Sequence, residues 1–395
     1  MDNKKKLRIF FNSNAAWATS GYSMQIAELL PLIRDEGYPL AICNFFGQQG
    51  GKFVLDGILQ YPVINHVYGS DALIQHAPDF GADVVFTLQD QWVLNPDDLS
   101  KLKHWIPLTP IDHDPVTKPV LNNLRFAYRV ITYSKFGKKE LERNGVASTY
   151  IPHTVNTEIF KPDSVPARKK AVGIPVDSFL IGMVGANKDN PPRKSFQEAI
   201  DAFALFLKDV PNALLYIHTN NDFPGGFNIR QYADFLGISD KIALPDVYKM
   251  TFNTTKQDMA SIYSTFDMLL MPSISEGFGV PIIEAQACGV PVVTNNWTSM
   301  PELIVPRLTG ELCEVGYKRF SPQGSYMGVP SVKSIYDAMM KIKRSDMGKR
   351  RDAARKYIVD NYDTKKVFNK YWRPYLSMLE KEIYPDIDKP QIATP

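Results

Sequence analysis

The stretch Ser275-Glu276-Gly277-Phe278-Gly279-Val280-Pro281-Ile282-Ile283-Glu284-Ala285 sets two carboxylates with seven residues between them. Ahead of it, Asp267-Met268-Leu269-Leu270-Met271-Pro272 holds an apolar run of strand length. Behind it, Pro281 to Cys288 is expected to be a helix. Proline suits the first helical position, where its missing N–H has no partner to lose, and Gly289 suits the residue just past the end. One acid therefore stands in a glycine-rich turn and the other about one turn into a helix. Both lie near a helix N-terminus, where unpaired N–H groups and the peptide dipoles attract an anion. Two acids beside an anion-binding turn suit a ligand that carries hydroxyls and phosphates together.

Units of the same kind extend in both directions. In the first half strands are expected at 7–12, 39–45, 84–90, 104–112, 129–134 and 149–153, with helices at 21–35, 116–127 and 135–144. In the second half strands are expected at 179–185, 213–219, 242–244, 268–272 and 292–295, with helices at 195–209, 229–236, 257–265, 281–288 and 331–343. Strands alternating with helices imply parallel sheets covered on both faces. From Thr154 to Ser178 the pattern breaks at Pro162, Pro166 and Pro175, beside a basic run. The chain thus divides into residues 1–160, a linker at 161–178 and residues 179–371. The fold class is α/β, with two Rossmann-like domains. Ligands of such sheets bind beyond the carboxyl ends of the strands, so two facing domains make a cleft.

Several loops at those strand ends carry candidate residues. Asn12–Gly21 follows the first strand, and Gly21 permits a phosphate to approach the helix that starts there. Asp112-His113-Asp114 ends another strand. His113 suits a sugar hydroxyl, while the plain structural reading makes Asp112 or Asp114 the cap of a helix near Pro115. Asp90-Gln91-Trp92 suits an acceptor, and core packing of Trp92 is an equal alternative. After strand 179–185 comes Ala186-Asn187-Lys188-Asp189-Asn190-Pro191-Pro192-Arg193-Lys194-Ser195. Here two cations open a helix, the end its dipole disfavours, so an anionic partner is expected.

Taken together these motifs resemble the E-x7-E signature of retaining glycosyltransferases of the GT-B fold, in particular family 4. The resemblance implies that Glu276 contacts the donor sugar and that Gly277, Phe278 and Gly279 offer backbone N–H groups. It implies that Glu284 accepts from ribose hydroxyls, that Arg193 and Lys194 clamp a diphosphate, that Gly21 abuts it, and that His113 faces the sugar. His113, Glu276, Arg193 and Lys194 are then the catalytic set. It also implies a last helix, at about 372–390, that crosses back to the first domain through Tyr371-Trp372-Arg373-Pro374. The donor would be a nucleoside-diphosphate sugar, UDP-sugar favoured, held mainly by residues 179–371, with no cofactor and no metal. Residues Pro245 to Tyr248 are a weaker candidate for the base. Three departures stand out: Ser20-Gly21 where two glycines are common, Asn187 where an Arg is usual, and Thr154 and Asn156 where Gly and Asp are commoner. Arg193 is expected to supply the missing guanidinium. Rival readings are an epimerase or hydrolase on the same fold, and a non-catalytic nucleotide-sugar-binding protein.

Composition bounds the rest. The 395 residues are 44% apolar and 22% charged with a formal charge of +3, an ordinary globular balance that excludes a polyanion binder acting through overall charge. Local basic runs (Lys4–Lys6, Lys138-Lys139, Arg168–Lys170, Lys349–Lys356) read as solvated surface. Cys43, Cys288 and Cys313 lack metal-ligand spacing and suit free thiols. No run has the length of a spanning helix, so a cytoplasmic protein is expected, with peripheral attachment to a membrane left open. The acceptor (glycan, lipid, metabolite, protein or nucleic acid, notably modified DNA) and the oligomeric state are not legible.

Overall fold

The structure, a computed structural model, describes residues 6–171, 173–252 and 254–385. Two sheets organise it. The first has eight strands in the order Phe53–Leu55, Ile58–Pro62, Leu40–Phe46, Ile9–Asn14, Val84–Leu88, Trp105–Thr109, Ile131–Thr132, Thr149–Tyr150. All neighbours are parallel except the first pair, an antiparallel hairpin at the edge. The second has six parallel strands in the order Ile242–Ala243, Ala213–His218, Phe179–Val184, Met268–Met271, Val292–Asn295, Gly310–Cys313. The central strands are buried on both faces, which is why they read as continuous apolar runs.

The last helix, Arg373–Ile383, lies on the first domain. Trp372 packs edge-on against Phe86, 5.9 Å between centroids, and Arg373 pairs with Glu36 at 2.6 Å. Arg129 pairs with Glu382, and Tyr384 Oη donates to Asp83 at 2.5 Å. The crossing is made by a π-helical turn at Phe368–Trp372, with Pro374 in the first turn of the helix that follows. Residues 386–390 of the expected crossing segment lie outside the described residues, as do Lys4 and Lys5. No helix among the described residues is long and apolar enough to cross a membrane.

Several expectations are corrected. The segment 161–178 is not bare linker, because Val165–Ala171 is a helix. Within it Lys169 is 2% exposed, donating to Asp267 Oδ2 and Ser178 O, each at 2.7 Å. Nor is the run 349–356 a solvated face throughout. Arg350 is buried and paired with Glu311. Arg355 donates to the carbonyls of Thr157, Phe160 and Ala287, pinning the end of the first domain to the second. Ala287 closes the helix that carries Glu284, where a cation also meets the negative end of the dipole. Asp114 caps nothing: the helix starts at Lys118, and the Asp114 amide donates to Tyr326 O at 3.2 Å. Trp92 is 44% exposed, so core packing is excluded. Strands Phe53–Leu55, Ile58–Pro62 and Gly310–Cys313, helix Ser70–Phe80 and the hairpin Val315–Phe320/Tyr326–Pro330 were not anticipated. Phe53–Leu55 and Val315–Phe320 are short and largely exposed, with no buried face to impose alternation.

Candidate active site

Glu276 stands in the turn between strand Met268–Met271 and helix Val280–Ala287. Its carboxylate receives Lys194 Nζ on one oxygen and Arg193 Nη1, at 3.1 Å, on the other. Burial by itself pushes the Glu276 carboxyl up. The attractions of Arg193 and Lys194, with a hydrogen bond from Lys194, outweigh it and hold the group at about 2. Burial pushes the Lys194 ammonium below its usual range against the pull of Glu276, whereas Glu276 raises Arg193 above its own. The cations are placed by their loop. Arg193 Nη1 donates to Ser275 O at 2.5 Å, and Arg193 O accepts from Ile274 N at 2.9 Å, so the two turns are stapled together. Gly185 ends the preceding strand, and a Cβ there would stand 3.1–3.3 Å from the Lys194 stem, which lies across it. Asn187, where an Arg was expected by analogy, is buried. It ties its own loop to Asn220 and Phe227, leaving Arg193 as the guanidinium of this turn.

The first domain faces this triad with residues from three strand ends. Ser275 Oγ donates to Asp112 O, so the two domains touch at the site itself. His113 is 5% exposed, with Nδ1 2.7 Å from Asp112 Oδ1. That contact assigns the ring proton to Nδ1 in the neutral tautomer and leaves Nε2 an acceptor. Nε2 is buried and has no hydrogen-bond partner among the described residues. Burial and Asp112 push Asp90 up to about 6, and Tyr22 Oη donates to it at 3.4 Å. Tyr22 belongs to the helix that Gly21 begins and Ser20 caps, Ser20 Oγ accepting from Ser23 N at 3.1 Å. A Cβ at Gly21 would meet nothing within 4 Å, so this helix start opens onto free space.

Gly277 to Gly279 do more than form a turn. A Cβ on Gly277 would lie 2.8 Å from Pro110 Cβ and 3.2 Å from its Cα, so this glycine lets the domains meet. Phe278 is buried between the domains, its ring centroid 5.2 Å from that of His153 and 6.2 Å from that of Tyr133. Gly279 precedes the helix with φ +118°, a value that favours glycine. Normal carbon contacts are about 3.5–4.0 Å, so Gly277→Ala should wedge the domains apart with little loss of fold stability. Small-angle scattering beside a thermal melt checks this.

Glu284 sits apart from the triad. Tyr263 Oη donates to it at 2.8 Å, and burial pushes its carboxyl up to about 7. Its charged neighbours are Lys256 and Glu28, which pair with each other at 2.5 Å across the domain gap. The structure therefore joins Glu276, Arg193, Lys194 and His113 through Ser275 and Asp112, while no hydrogen bond or ion pair ties Gly21 or Glu284 to that set among the described residues. Residues missed as site groups are Asp112 (noticed, but weighed as a helix cap), Tyr22, Tyr263, Glu28 and Lys256. Nothing in local spacing marks Tyr22, Tyr263, Glu28 or Lys256, since each acts on a partner distant in sequence, whereas Asp112 acts on its neighbour His113. No group of three or more His, Cys, Asp and Glu is arranged to hold a metal among the described residues.

Residues 165–321 match the family model of glycosyl transferases group 1. Among curated proteins, D-inositol 3-phosphate glycosyltransferase of Saccharomonospora viridis is 27% identical over 161 residues, 40% of this chain and 36% of the relative. That of Mycolicibacterium smegmatis is 25% identical over 160 residues, 40% of this chain and 35% of the relative. The match thus spans about a third of those relatives. Over nearly the whole chain the fold is that of sucrose-phosphate synthase from Thermosynechococcus elongatus, with TM-score 0.74, 13% identity, 95% of this chain and 99% of the other. Anabaena HepE in complex with UDP-glucose gives TM-score 0.71, 15% identity, and 94% and 100% coverage. The architecture is GT-B.

Proposed function

We propose that this protein is a retaining, metal-independent glycosyltransferase. It moves a hexosyl or pentosyl group from a nucleoside-diphosphate sugar, UDP-sugar favoured, to a hydroxyl acceptor. The observation that carries the reading is the gathering of Arg193 and Lys194 on Glu276, opposite the unpartnered Nε2 of His113. A partly exposed guanidinium and a largely buried ammonium side by side form a site for a diphosphate, which would displace Glu276 from them. Glu276 is then free to accept from donor-sugar hydroxyls, and His113 Nε2 accepts from another. In the reaction the bond from the anomeric carbon to the diphosphate oxygen breaks and that carbon bonds to the acceptor oxygen. The departing phosphate oxygen takes the acceptor proton, on the same face of the sugar. Arg193 and Lys194 stabilise the growing charge, as preorganised cations in a dry site do best. The comparison with HepE in complex with UDP-glucose supports UDP as the nucleotide.

The test is a donor screen with UDP-, GDP- and ADP-sugars, following nucleoside diphosphate release and thermal shift. One donor should stabilise the protein and be turned over, with the product's anomeric configuration retained. The absence of both binding and release with every donor overturns the reading. Consumption of donor at a rate no acceptor raises indicates a hydrolase or epimerase instead.

A further inference from the structure

We infer that the acceptor is an uncharged glycan whose sugar rings seat on a row of exposed aromatic side chains along the carboxyl edge of the first sheet. The inference rests on the transferase reading and adds the class of acceptor. Four adjacent strands of that sheet each present a ring at or beyond the carboxyl end. Tyr68 follows Ile58–Pro62, Phe46 ends Leu40–Phe46, Trp17 follows Ile9–Asn14 and Trp92 follows Val84–Leu88. Their exposures are 39%, 55%, 44% and 44%. The next strand, Trp105–Thr109, leads to His113. Neighbouring strands lie about 4.8 Å apart, so the four strand ends that lead to these rings stand in a row beside the strand that leads to His113. Single exposed aromatics are ordinary, but four on consecutive strand ends make a surface.

The Trp17 ring and the backbone that carries Trp92 are held without being covered. Trp17 Nε1 donates to Gly47 O at 2.6 Å, and its ring packs 5.9 Å from that of Phe53. Gly47 has φ +95°, and a Cβ there would stand 2.9 Å from Ala18 Cβ, so the two loops interlock. Trp92 follows Gln91, which is fully buried. The Gln91 side chain donates to Gln89 O and Leu108 O, and Asn123 Nδ2 donates to the Gln91 and Leu94 carbonyls. A ring fixed in advance loses little freedom when a ligand stacks on it.

The charge of the row selects the ligand. Loops 15–20, 46–53, 63–69 and 89–95 contain Lys52 and Asp90 as their only Lys, Arg, Asp or Glu residues. Lys52 is paired with Asp79 at 3.1 Å. Nucleic acids and anionic lipid surfaces are held by clusters of unpaired Lys and Arg, which these four loops lack. Rings interspersed with amides such as Gln48, Gln49 and Asn65 match the C–H faces and hydroxyls of neutral sugars.

The test is binding of the intact protein to an array of neutral oligosaccharides (maltohexaose, cellohexaose and mannohexaose among them). A single-stranded oligonucleotide and phosphatidylglycerol vesicles are run alongside, and UDP affinity is measured on the same samples. A neutral oligosaccharide should be retained with little dependence on salt. Trp17→Ala and Trp92→Ala should each weaken it about tenfold, whereas Trp92→Phe, which keeps a ring, should hold most of the affinity. Thermal melts show whether the variants are folded. Retention of no neutral glycan, retention that both alanine variants leave unchanged, or salt-sensitive capture of the oligonucleotide in place of glycan overturns the inference. Failure to bind UDP as well locates the fault in the transferase reading beneath it.

Discussion

In a Glu276→Gln variant, UDP should bind at least as tightly as to the native protein while sugar transfer falls about 10²–10³-fold. In the free protein Glu276 occupies the two cations that a diphosphate needs. An arriving phosphate must displace it. Glutamine keeps the shape but removes the charge, so the competition weakens and the phosphate meets two less-compensated cations. Turnover is lost because the amide no longer offers a carboxylate to the donor sugar as positive charge develops on the ring. Lys194→Ala should behave differently, weakening UDP and transfer together, since it removes part of the clamp.

Stability carries an independent signature. The Glu276 carboxyl is held at about 2 against an ordinary 4.5, so its contribution is present above the ordinary value and is lost as pH falls towards 2. The shift is worth at most about 3 kcal/mol. Glu276→Gln should therefore melt lower at neutral pH, with the gap closing in acid, and added UDP should raise its melting temperature more than that of the native protein. Calorimetric titration with UDP and a transfer assay on the three proteins check this. A loss of UDP affinity in Glu276→Gln equal to that in Lys194→Ala would refute competition between Glu276 and phosphate.

Glu284→Gln should stabilise the free protein at alkaline pH and weaken UDP about tenfold. Burial raises the Glu284 carboxyl to about 7 from 4.5, so the folded protein keeps this proton where the unfolded chain has released it. Stability from this group is complete below the unfolded value and drains away as pH rises to about 7. The strain then reaches roughly 3 kcal/mol at most. Glutamine carries no such strain and still accepts the Tyr263 hydroxyl. If Glu284 receives ribose hydroxyls, the ionised form binds best, and UDP affinity should fall below pH 7 in the native protein. UDP itself titrates in acid, so the informative quantity is the difference between native and variant. The variant should show the flatter profile. Parallel profiles, or a variant that melts lower at alkaline pH, would show that Glu284 is not a strained carboxylate reserved for ligand.

Much of the second sheet was legible because its signals are local. The strand Val292–Asn295 has the expected ends, and Met268–Met271, Phe179–Val184 and Ala213–His218 fall one residue short of theirs, each a short apolar run between punctuating residues. Four strands of the first sheet were overextended (104–112 was expected and Trp105–Thr109 is found), while 7–12 and 39–45 have the right length but start one or two residues early. Pro110 to Asp112 leave the sheet because they meet Gly277 and Ser275 of the other domain. The hairpin Val315–Phe320/Tyr326–Pro330 was illegible for a related reason. Its order comes from the first domain, through Asp114 on Tyr326 O and Ser325 Oγ on Pro115 O.

Residues within a few positions of each other therefore specified the turn–helix unit of Glu276 and Glu284, the cations opening the helix Phe196–Asp209, and the alternation that makes both sheets parallel. Propensity, periodicity and capping act over that range, and the chain itself spells them out. The two sheets together decided which side chain answers which. Arg193 reaches Ser275 across 82 residues, Ser275 reaches Asp112 across 163, and Lys169 reaches Asp267 across 98. The row of rings exists because four separate loops leave adjacent strands on one edge. Such pairings depend on strand order and on how closely the domains approach, which no short stretch of chain encodes. Burial raises both carboxyls, but at Glu276 the paired Arg193 and Lys194 outweigh it, while at Glu284 the Tyr263 hydroxyl and Lys256 do not, so two chemically identical groups move in opposite directions.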